Sequence, residues 1–423
     1  MAFAERNWAG NVAYDAARFH EPASVEEVQA VVVAATKVRG VGSRHSFNTI
    51  ADTDGDQVSL AAMTRVIEID AERRTVAIDG GVRYGELATF LNAHGYALAN
   101  LASLPHISVA GACATATHGS GVANGNLATA VRGLQLVTAE GHVVEVSRDH
   151  DPELIDAMTV GLGAFGIVTG LTLAIEPTFS VEQTVFEHVP LATALDRFHE
   201  IMADGYSVSL FTTWRHDEIE QLWRKVRVDS EGSDGVLDAA ATRFGATAAT
   251  RNLHPIAELP AEPCTEQMGV AGPWHDRLPH FRMGFTPSSG DELQSELFVA
   301  AADAPAAMRV LRGLGQHLAP VLKISEVRTV AADGLWLSPS YHQDCVAFHF
   351  TWIPSWAQVQ PVLADLESAL APFAARPHWG KLTTIGSRDL HSRYERLAAF
   401  GELLDEWDPS RKFRNAFLDA VLG

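Results

Sequence analysis

Four stretches of this sequence carry side chains whose types and spacing could do chemistry. The first is Arg39-Gly40-Val41-Gly42-Ser43-Arg44-His45-Ser46-Phe47-Asn48. Gly40 and Gly42 have no Cβ, so their backbone N–H groups can come close to an anion. A neutral imidazole such as His45 is a nucleophile near physiological pH. A dinucleotide fingerprint would place a third glycine where His45 stands and run straight into a helix. Here Asn48-Thr49-Ile50 leads into an acidic loop instead, so a different pyrophosphate loop fits better. The second stretch is Leu101 to Gly125, where almost every residue from Ala110 to Gly121 is small. Small side chains bury little area, so such a run rarely builds a core and suits backbone packed against a flat, polar ligand. A tight turn in a Gly-rich loop is the ordinary reading of either stretch alone, but two in one half of the chain shift the balance.

The third and fourth stretches are strands with one polar face. In Ile324 to Val330, Glu326 and Arg328 share a side by the two-residue period. In Val346 to Trp352, His349 and Thr351 share one side, while Val346, Phe348, Phe350 and Trp352 take the core side. A solvent-facing role is the usual one for such faces in antiparallel sheets. The alternative is a polar roof for a hydroxyl-bearing ligand, because each hydroxyl must exchange water for protein partners.

The elements that would position these residues read as α+β, with a Gly-rich first half and a sheet-rich second half. Ser24 to Lys37 is predicted as a helix, with a Ser24/Glu27 capping box and Val25, Val28, Val32 and Ala35 on one stripe. Strands follow at Val38 to Val41, Thr64 to Asp70 and Thr75 to Asp79, then a helix from Tyr84 to His94 closed by Gly95. Val131 to Ala139 and His142 to Ser147 pair as a hairpin around Glu140-Gly141. Gly166 to Glu176 is a strand closed by Pro177. Beyond it come strands at Ser207 to Arg215, Ile219 to Val228 and Phe281 to Phe285, and helices at Ala304 to Leu318 and Trp356 to Phe373. Glu231 to Arg251 is poor in pattern and reads as a surface excursion.

Composition limits the function. The formal charge of -20 over 423 residues disfavours nucleic acid and anionic membranes as partners. Cys113, Cys264 and Cys345 stand far apart, with no CxxC pair, and read as reduced, buried thiols. Neither an apolar leader nor a bilayer-length apolar run is evident, which points to a cytoplasmic setting. There is no HExxH and no Cys/His pairing of metal-ligand spacing, so no metal is expected. Nothing demands a partner chain, and a monomer is expected.

Ser43-Arg44-His45-Ser46-Phe47-Asn48, Ser108-Val109-Ala110-Gly111 and Thr117-His118-Gly119-Ser120-Gly121 resemble the FAD domain of the vanillyl-alcohol oxidase superfamily. Pro377-His378-Trp379-Gly380-Lys381 resembles its aldonolactone oxidase branch. Leu104-Pro105-His106-Ile107-Ser108, Thr265-Glu266-Gln267 and Arg376 to Lys381 resemble the bacterial alditol oxidases within it. The resemblance spans nearly the whole chain, from Asn7-Trp8-Ala9-Gly10-Asn11 to Asn415-Ala416-Phe417.

The resemblance implies a two-domain fold. A PCMH-type FAD-binding domain would cover 1–177, and a cap domain with a large antiparallel sheet 178–376. Residues 377–423 would return to the FAD domain. It implies FAD joined covalently to His45, where a locally hydrogen-bonded loop histidine is the reading of a lone His. Arg39, Gly40, Val41, Gly42, Ser43 and Arg44 would hold the cofactor with it. So would Ser103, Ser108, Gly111, Thr115, Ala116, Thr117 and His118. Ile167, Val168, His378 and Asn415 complete that set. Substrate contacts would be Ser103, Gln294, Glu326, Arg328, His349, Thr351 and Lys381.

The expected reaction is oxidation of the terminal primary alcohol of an alditol such as xylitol or sorbitol, with hydride passing to flavin N5 and O2 giving H2O2. Lys381 would take the hydroxyl proton and Arg328 would stabilise negative charge on the reacting oxygen. The rival within the family is a sugar-1,4-lactone oxidase or dehydrogenase. A flavin storage protein would have no need for Lys381, Arg328 and Glu326 together.

Overall fold

The computed structural model describes residues 6–228, 244–284 and 292–423. Ser24 opens the first helix, Val25–Ala34, by accepting from the Glu27 N–H at 3.3 Å, while the Glu27 carboxylate accepts from the Ala23 N–H. Val28 and Val32 are the buried stripe. The helix packs beside a parallel three-stranded sheet ordered Arg18–His20, Asp56–Ser59, Val38–Val41. The Gly40-Val41-Gly42 turn leaves from the end of that last strand.

A five-stranded antiparallel sheet follows, ordered Val66–Asp70, Thr75–Asp79, Ile167–Ala174, Val131–Val137, Val143–Ser147. The helix Tyr84–Ala93 buries Tyr84, Leu87, Ala88 and Leu91 in the same core and ends before Gly95, whose φ of +81° suits a residue without a side chain. Three C-terminal helices, Ser387–Arg393, Leu397–Trp407 and Ala416–Leu422, pack Leu390, Phe400 and Leu418 into this core as well.

Between these pieces lies a nine-stranded sheet whose described pairings are antiparallel. Its middle runs Glu218–Val228, Ser207–Thr212, Leu322–Val330, Cys345–Trp352, Leu293–Ala300. Strand period two sorts its side chains. Val346, Phe348, Phe350 and Trp352 face the helices Ala304–Leu318 and Trp356–Leu370 in an apolar layer. The opposite face carries a directly paired row, Phe211, Glu326, His349 and Glu296. Gln294 and Thr351 pair beside it, and Ser209 pairs with Arg328 on the other side.

The Phe281 to Phe285 strand expected from sequence does not form. Phe281 makes an isolated bridge to Cys264, and residues 282–284 turn away; Phe285 lies outside the described residues. The aromatic Phe281 packs beside His254 with ring centres 5.7 Å apart, a loop contact that resembles a strand residue only by type. Gly284 weakens any continuation. Of Glu231 to Arg251, residues 231–243 lie outside the described residues. All three cysteines are free and buried. No helix among the described residues is long and apolar enough to cross a membrane.

Phe348 is fully buried between the large sheet and its helices. Phe348→Ala removes a ring that nothing nearby can replace, and should cost about 3–5 kcal/mol of stability in urea unfolding. A cost below about 1 kcal/mol would show that this layer does not hold the sheet on its helices.

Candidate active site

A cavity of about 530 Å³ is lined by both Gly-rich stretches on one side and by the polar face of the large sheet on the other. The two Gly-rich stretches are laced together. Ser43 N–H donates to Ser108 Oγ at 3.4 Å and Ser108 N–H to Ser43 Oγ at 3.2 Å. A Cβ added to Gly42 would stand 2.2 Å from Ser108 Oγ, so only glycine allows this approach.

His45 follows Arg44, whose φ is +61°. Its ring lies on Trp8, centroids 4.8 Å apart, and against His106 at 4.5 Å. Burial, with help from His106 and Arg83, pushes its pKa down to about 3. The imidazole is therefore neutral and keeps a lone pair at physiological pH. His106 Nε2 is buried with no hydrogen-bond partner. The next residues tie this loop to the C-terminal segment: Phe47 N–H donates to Gly380 O at 2.7 Å, and Asn48 Nδ2 to Trp379 O and Lys381 O. His45 and Lys381 are thus set by one shared backbone network.

Arg39 is buried, and its Nη atoms donate to the carbonyls of Ile50, Leu162, Gly163 and Phe413. Its Nε has no partner, and burial alone lowers its pKa to about 10. A buried cation held only by carbonyls on a cavity wall suits an anionic occupant.

The polar roof is a charge cluster built on Glu296. Arg328 Nη2 donates to Glu296 Oε1 at 2.7 Å, Lys381 Nζ to Oε2 at 2.7 Å, and His118 Nε2 lies 3.2 Å from Oε1. Arg328 also approaches Glu326 Oε2 at 3.5 Å and Ser103 Oγ at 3.4 Å. Lys381 Nζ is 3.4 Å from His349 Nδ1, and His349 Nε2 is 3.5 Å from Thr351 Oγ1. Burial pushes the Glu296 carboxyl up, but Lys381, His118 and Arg328 outweigh it and hold it well below the usual range. Glu326 is held down against burial by Arg328 and His280. Burial lowers the Lys381 pKa, with Glu296 opposing and Arg328 assisting. His349 is pushed down to about 3, first by burial and then by Lys381.

All seven expected substrate contacts line this cavity. So do Arg39, Gly40, Val41, Gly42, Ser43, Arg44, Ser108, Gly111, Thr115, Thr117, His118 and His378. Four expected cofactor residues stand outside the lining. Ile167 backs Gly40, its Cδ1 3.5 Å from where a Cβ would be. Ala116 is buried at a positive φ of 53°, and the Val168 carbonyl packs on Gly80. Asn415 caps the last helix and donates through Nδ2 to Thr49, Ile50 and Asp52 carbonyls, shaping the loop after His45. Sequence reasoning missed Glu296, His280 and His106. Glu296 was within reach, since it shares the Gln294 face by the two-residue period. His280 sits in an irregular segment with no pattern to flag it, while His106 lies inside the Leu104 to Ser108 motif without being singled out.

A family model described as an FAD binding domain matches residues 16–147, and one for D-arabinono-1,4-lactone oxidase matches 294–421. An alditol oxidase of a Streptomyces species is 49% identical over the whole of both chains. That decides the family. The chain belongs to the aldonolactone oxidase branch of the vanillyl-alcohol oxidase family. It is an FAD-dependent oxidoreductase. An L-gulono-1,4-lactone dehydrogenase of Mycobacterium tuberculosis is 28% identical, covering 99% of this chain and 98% of its own. A solved cholesterol oxidase of B. sterolicum shares the fold, with a TM-score of 0.76 at 13% identity over 99% of this chain and 96% of its own. The unpartnered Arg39 Nε and the close Gly42–Ser108 approach fit FAD as the occupant of the cavity floor.

Gly42→Ala should lower the flavin retained on purification, read as the ratio of flavin to protein absorbance, because the new methyl forces Ser108 Oγ away. Adding Ser108→Ala should restore part of it, since the clash is with that oxygen. Full loading of the single variant would show that the approach is not what binds the cofactor.

Proposed function

We propose that this enzyme oxidises the terminal primary alcohol of linear alditols, such as xylitol and sorbitol, to the aldose, with O2 reduced to H2O2. The observation that carries this reading is the polar wall formed by buried Glu296, Glu326, Arg328 and Thr351 with half-buried His349 and Lys381. It offers both donors and acceptors across one cavity wall. A polyol must exchange several water hydrogen bonds at once, and such a wall meets that demand. The alditol oxidase relative supports the substrate class. Bound FAD supplies the hydride acceptor and, on reoxidation by O2, the peroxide.

The chain divides its labour in three. Residues 1–177 with the returning segment 377–423 would hold FAD, and 178–376 would cap it. Gly40 to Arg44, Ser108, Gly111 and Thr115 to His118 would supply backbone and small side chains to the cofactor, with Arg39 as a buried cation. His45 would carry FAD covalently, because a neutral ring with a free lone pair is the form able to make that bond. Ser103, Gln294, Glu326, His349 and Thr351 would hold hydroxyls. Arg328 would stabilise negative charge on the reacting oxygen. Lys381 would take the hydroxyl proton, which its lowered pKa favours. Three buried, unpaired thiols fit a reducing, cytoplasmic compartment.

Peroxide release in air should follow xylitol and sorbitol, and not gulono- or galactono-1,4-lactone. Turnover of the lactones alone would move the enzyme to the lactone reading. Lys381→Met should keep its flavin and lose most turnover. Lys381 must be neutral to accept a proton. The wild-type rate should therefore climb as pH rises through the Lys381 pKa, below the usual 10.5, and Lys381→Met should lack that limb. Near-normal turnover of this variant removes Lys381 from the mechanism.

Acid-precipitated wild-type protein should stay yellow, and His45→Ala protein should precipitate colourless. Colour retained by His45→Ala would place the attachment elsewhere.

A further inference from the structure

Behind the roof lies a second set of polar groups that the proposed reaction does not use. Lys225, on the strand Glu218–Val228, is buried, with no carboxylate of the described residues in direct contact. Its Nζ donates to the Leu278 carbonyl, to the Pro279 carbonyl at 3.4 Å and to His280 Nδ1 at 3.1 Å. An ammonium has three N–H donors and no acceptor, and all three find partners here. His280 Nδ1 therefore accepts, and the ring proton sits on Nε2. That Nε2 lies 2.7 Å from Glu326 Oε1. Ser209 Oγ, 3.5 Å away, is the other neighbour of Nε2.

The loop carrying His280 is fixed independently. Thr265 N–H donates to His280 O at 2.9 Å, and Thr265 Oγ1 donates to Pro279 O at 2.8 Å. Gln183 Nε2 donates to Thr265 Oγ1 at 3.2 Å. The Thr265-Glu266-Gln267 segment thus sets the height of His280 over the sheet.

We propose that Lys225 and His280 form a buried relay that locks the Nε2–H tautomer of His280 onto Glu326, and so holds Glu326 as the ionised, correctly turned acceptor for a substrate hydroxyl. This rests on the reading of Glu326 as a hydroxyl contact. Both relay members act through Glu326 and are positioning residues. Were Lys225 to lose its proton, His280 could donate from Nδ1 to it instead. The bare Nε2 would then face a carboxylate oxygen, acceptor against acceptor, and Glu326 would have to turn or take a proton.

Burial pulls the Lys225 pKa down to about 7, with Glu326 opposing and Arg328 assisting. The charged and titratable groups facing the relay are Glu326 and Arg328 on Leu322–Val330, His349 on Cys345–Trp352, and Cys264 in the adjoining loop. Burial and Lys225 push His280 itself down to about 4, so the ring stays neutral over the working range.

The test uses the flavin-loaded enzyme and three variants, Lys225→Met, His280→Leu and His280→Gln, each checked for flavin content and Tm. Steady-state KM and kcat are measured with xylitol from pH 6 to 9. Glutamine places an N–H near the His Nε2 position, and leucine cannot. Lys225→Met and His280→Leu should raise KM roughly ten-fold or more, the order expected for a lost hydrogen bond to a charged group, with kcat changing far less. His280→Gln should keep most of the wild-type affinity. The wild-type KM should climb as pH passes upward through about 7, and this step should be missing from Lys225→Met. The relay is overturned if His280→Gln is as impaired as His280→Leu. It is equally overturned if Lys225→Met keeps the wild-type KM or the pH step. Should Lys225→Met lose its flavin, the two His280 variants decide the matter alone. A wild-type enzyme that ignores xylitol but turns over gulono-1,4-lactone would sink the polyol reading. The same variants, compared on the lactone, would still judge the relay.

Discussion

Everything in this active site depends on keeping charge buried. Glu296 and Glu326 are each almost fully out of water, as are Arg328 and Lys225. Removing an isolated charge from water costs several kcal/mol even after relaxation. Glu296, Glu326 and Arg328 stay ionised because each has a close partner of opposite charge, whereas Lys225 is held by carbonyls and His280 and its pKa falls to about 7. Glu296 holds Arg328, Lys381 and His118 within 3.2 Å, and Glu326 holds His280 and Arg328. The contacts come from distant parts of the chain: His118 from the second Gly-rich stretch, Arg328 from the large sheet, and Lys381 from the C-terminal segment. The carboxylate of Glu296 therefore assembles the site as well as neutralising it. Misplacing any one of the three segments would leave an unpaired ion inside the protein.

The cofactor side solves the opposite problem with almost no side chains. Close approach needs backbone, so the two stretches are rich in small residues, with Gly42 where they meet, and hold each other through Ser43 and Ser108. Their positions are then fixed from outside. Asn415 secures the carbonyls of Thr49, Ile50 and Asp52, Asn48 clasps Trp379 and Lys381, and Arg39 shares the Ile50 carbonyl and braces three more. This explains why the last helices return to the first core. The last of them is capped by Asn415, which together with the 379–381 segment holds the His45 loop in place.

Much of this is legible in the residue order, for physical reasons. Period-two strands announce their faces, so Glu326 with Arg328 and His349 with Thr351 stand out as pairs from spacing alone. Spacing does not separate a solvent-facing row from a buried one, because burial depends on what the other half of the chain lays over the face. Helices with long apolar stripes are equally plain, as Val28 and Val32 show. The C-terminal helices leave a weaker trace because two of the three lack a side-chain N-cap bond and two are only seven residues long. His280 and His106 lie in irregular backbone, where neighbours in space are unrelated to neighbours in sequence. The same fact makes Phe281 to Phe285 read as a strand. An aromatic residue that packs a loop onto the sheet has the composition of a strand without its hydrogen bonds.

The balance of charge across the roof has its own consequence. Arg328, Lys381 and Lys225 supply three cationic groups against the two carboxylates of Glu296 and Glu326, while His118, His280, His349 and His378 are all pushed toward their neutral forms by burial. With Lys225 and Lys381 both protonated the cluster carries about one surplus positive charge, and it is balanced once Lys381 is neutral and ready to accept the hydroxyl proton. An alcohol losing a proton and then a hydride passes through a state with negative charge near its oxygen and hands negative charge to its acceptor. As Lys381 takes the proton, positive charge appears beside the oxygen, and Arg328 already stands there, so in a medium that screens poorly the redistribution needs little reorganisation. The surplus cannot be enlarged freely, because an extra unpaired cation would meet the full desolvation cost. Lys225 is the member whose proton affinity burial brings near neutrality, so the net charge of the cluster changes with its protonation.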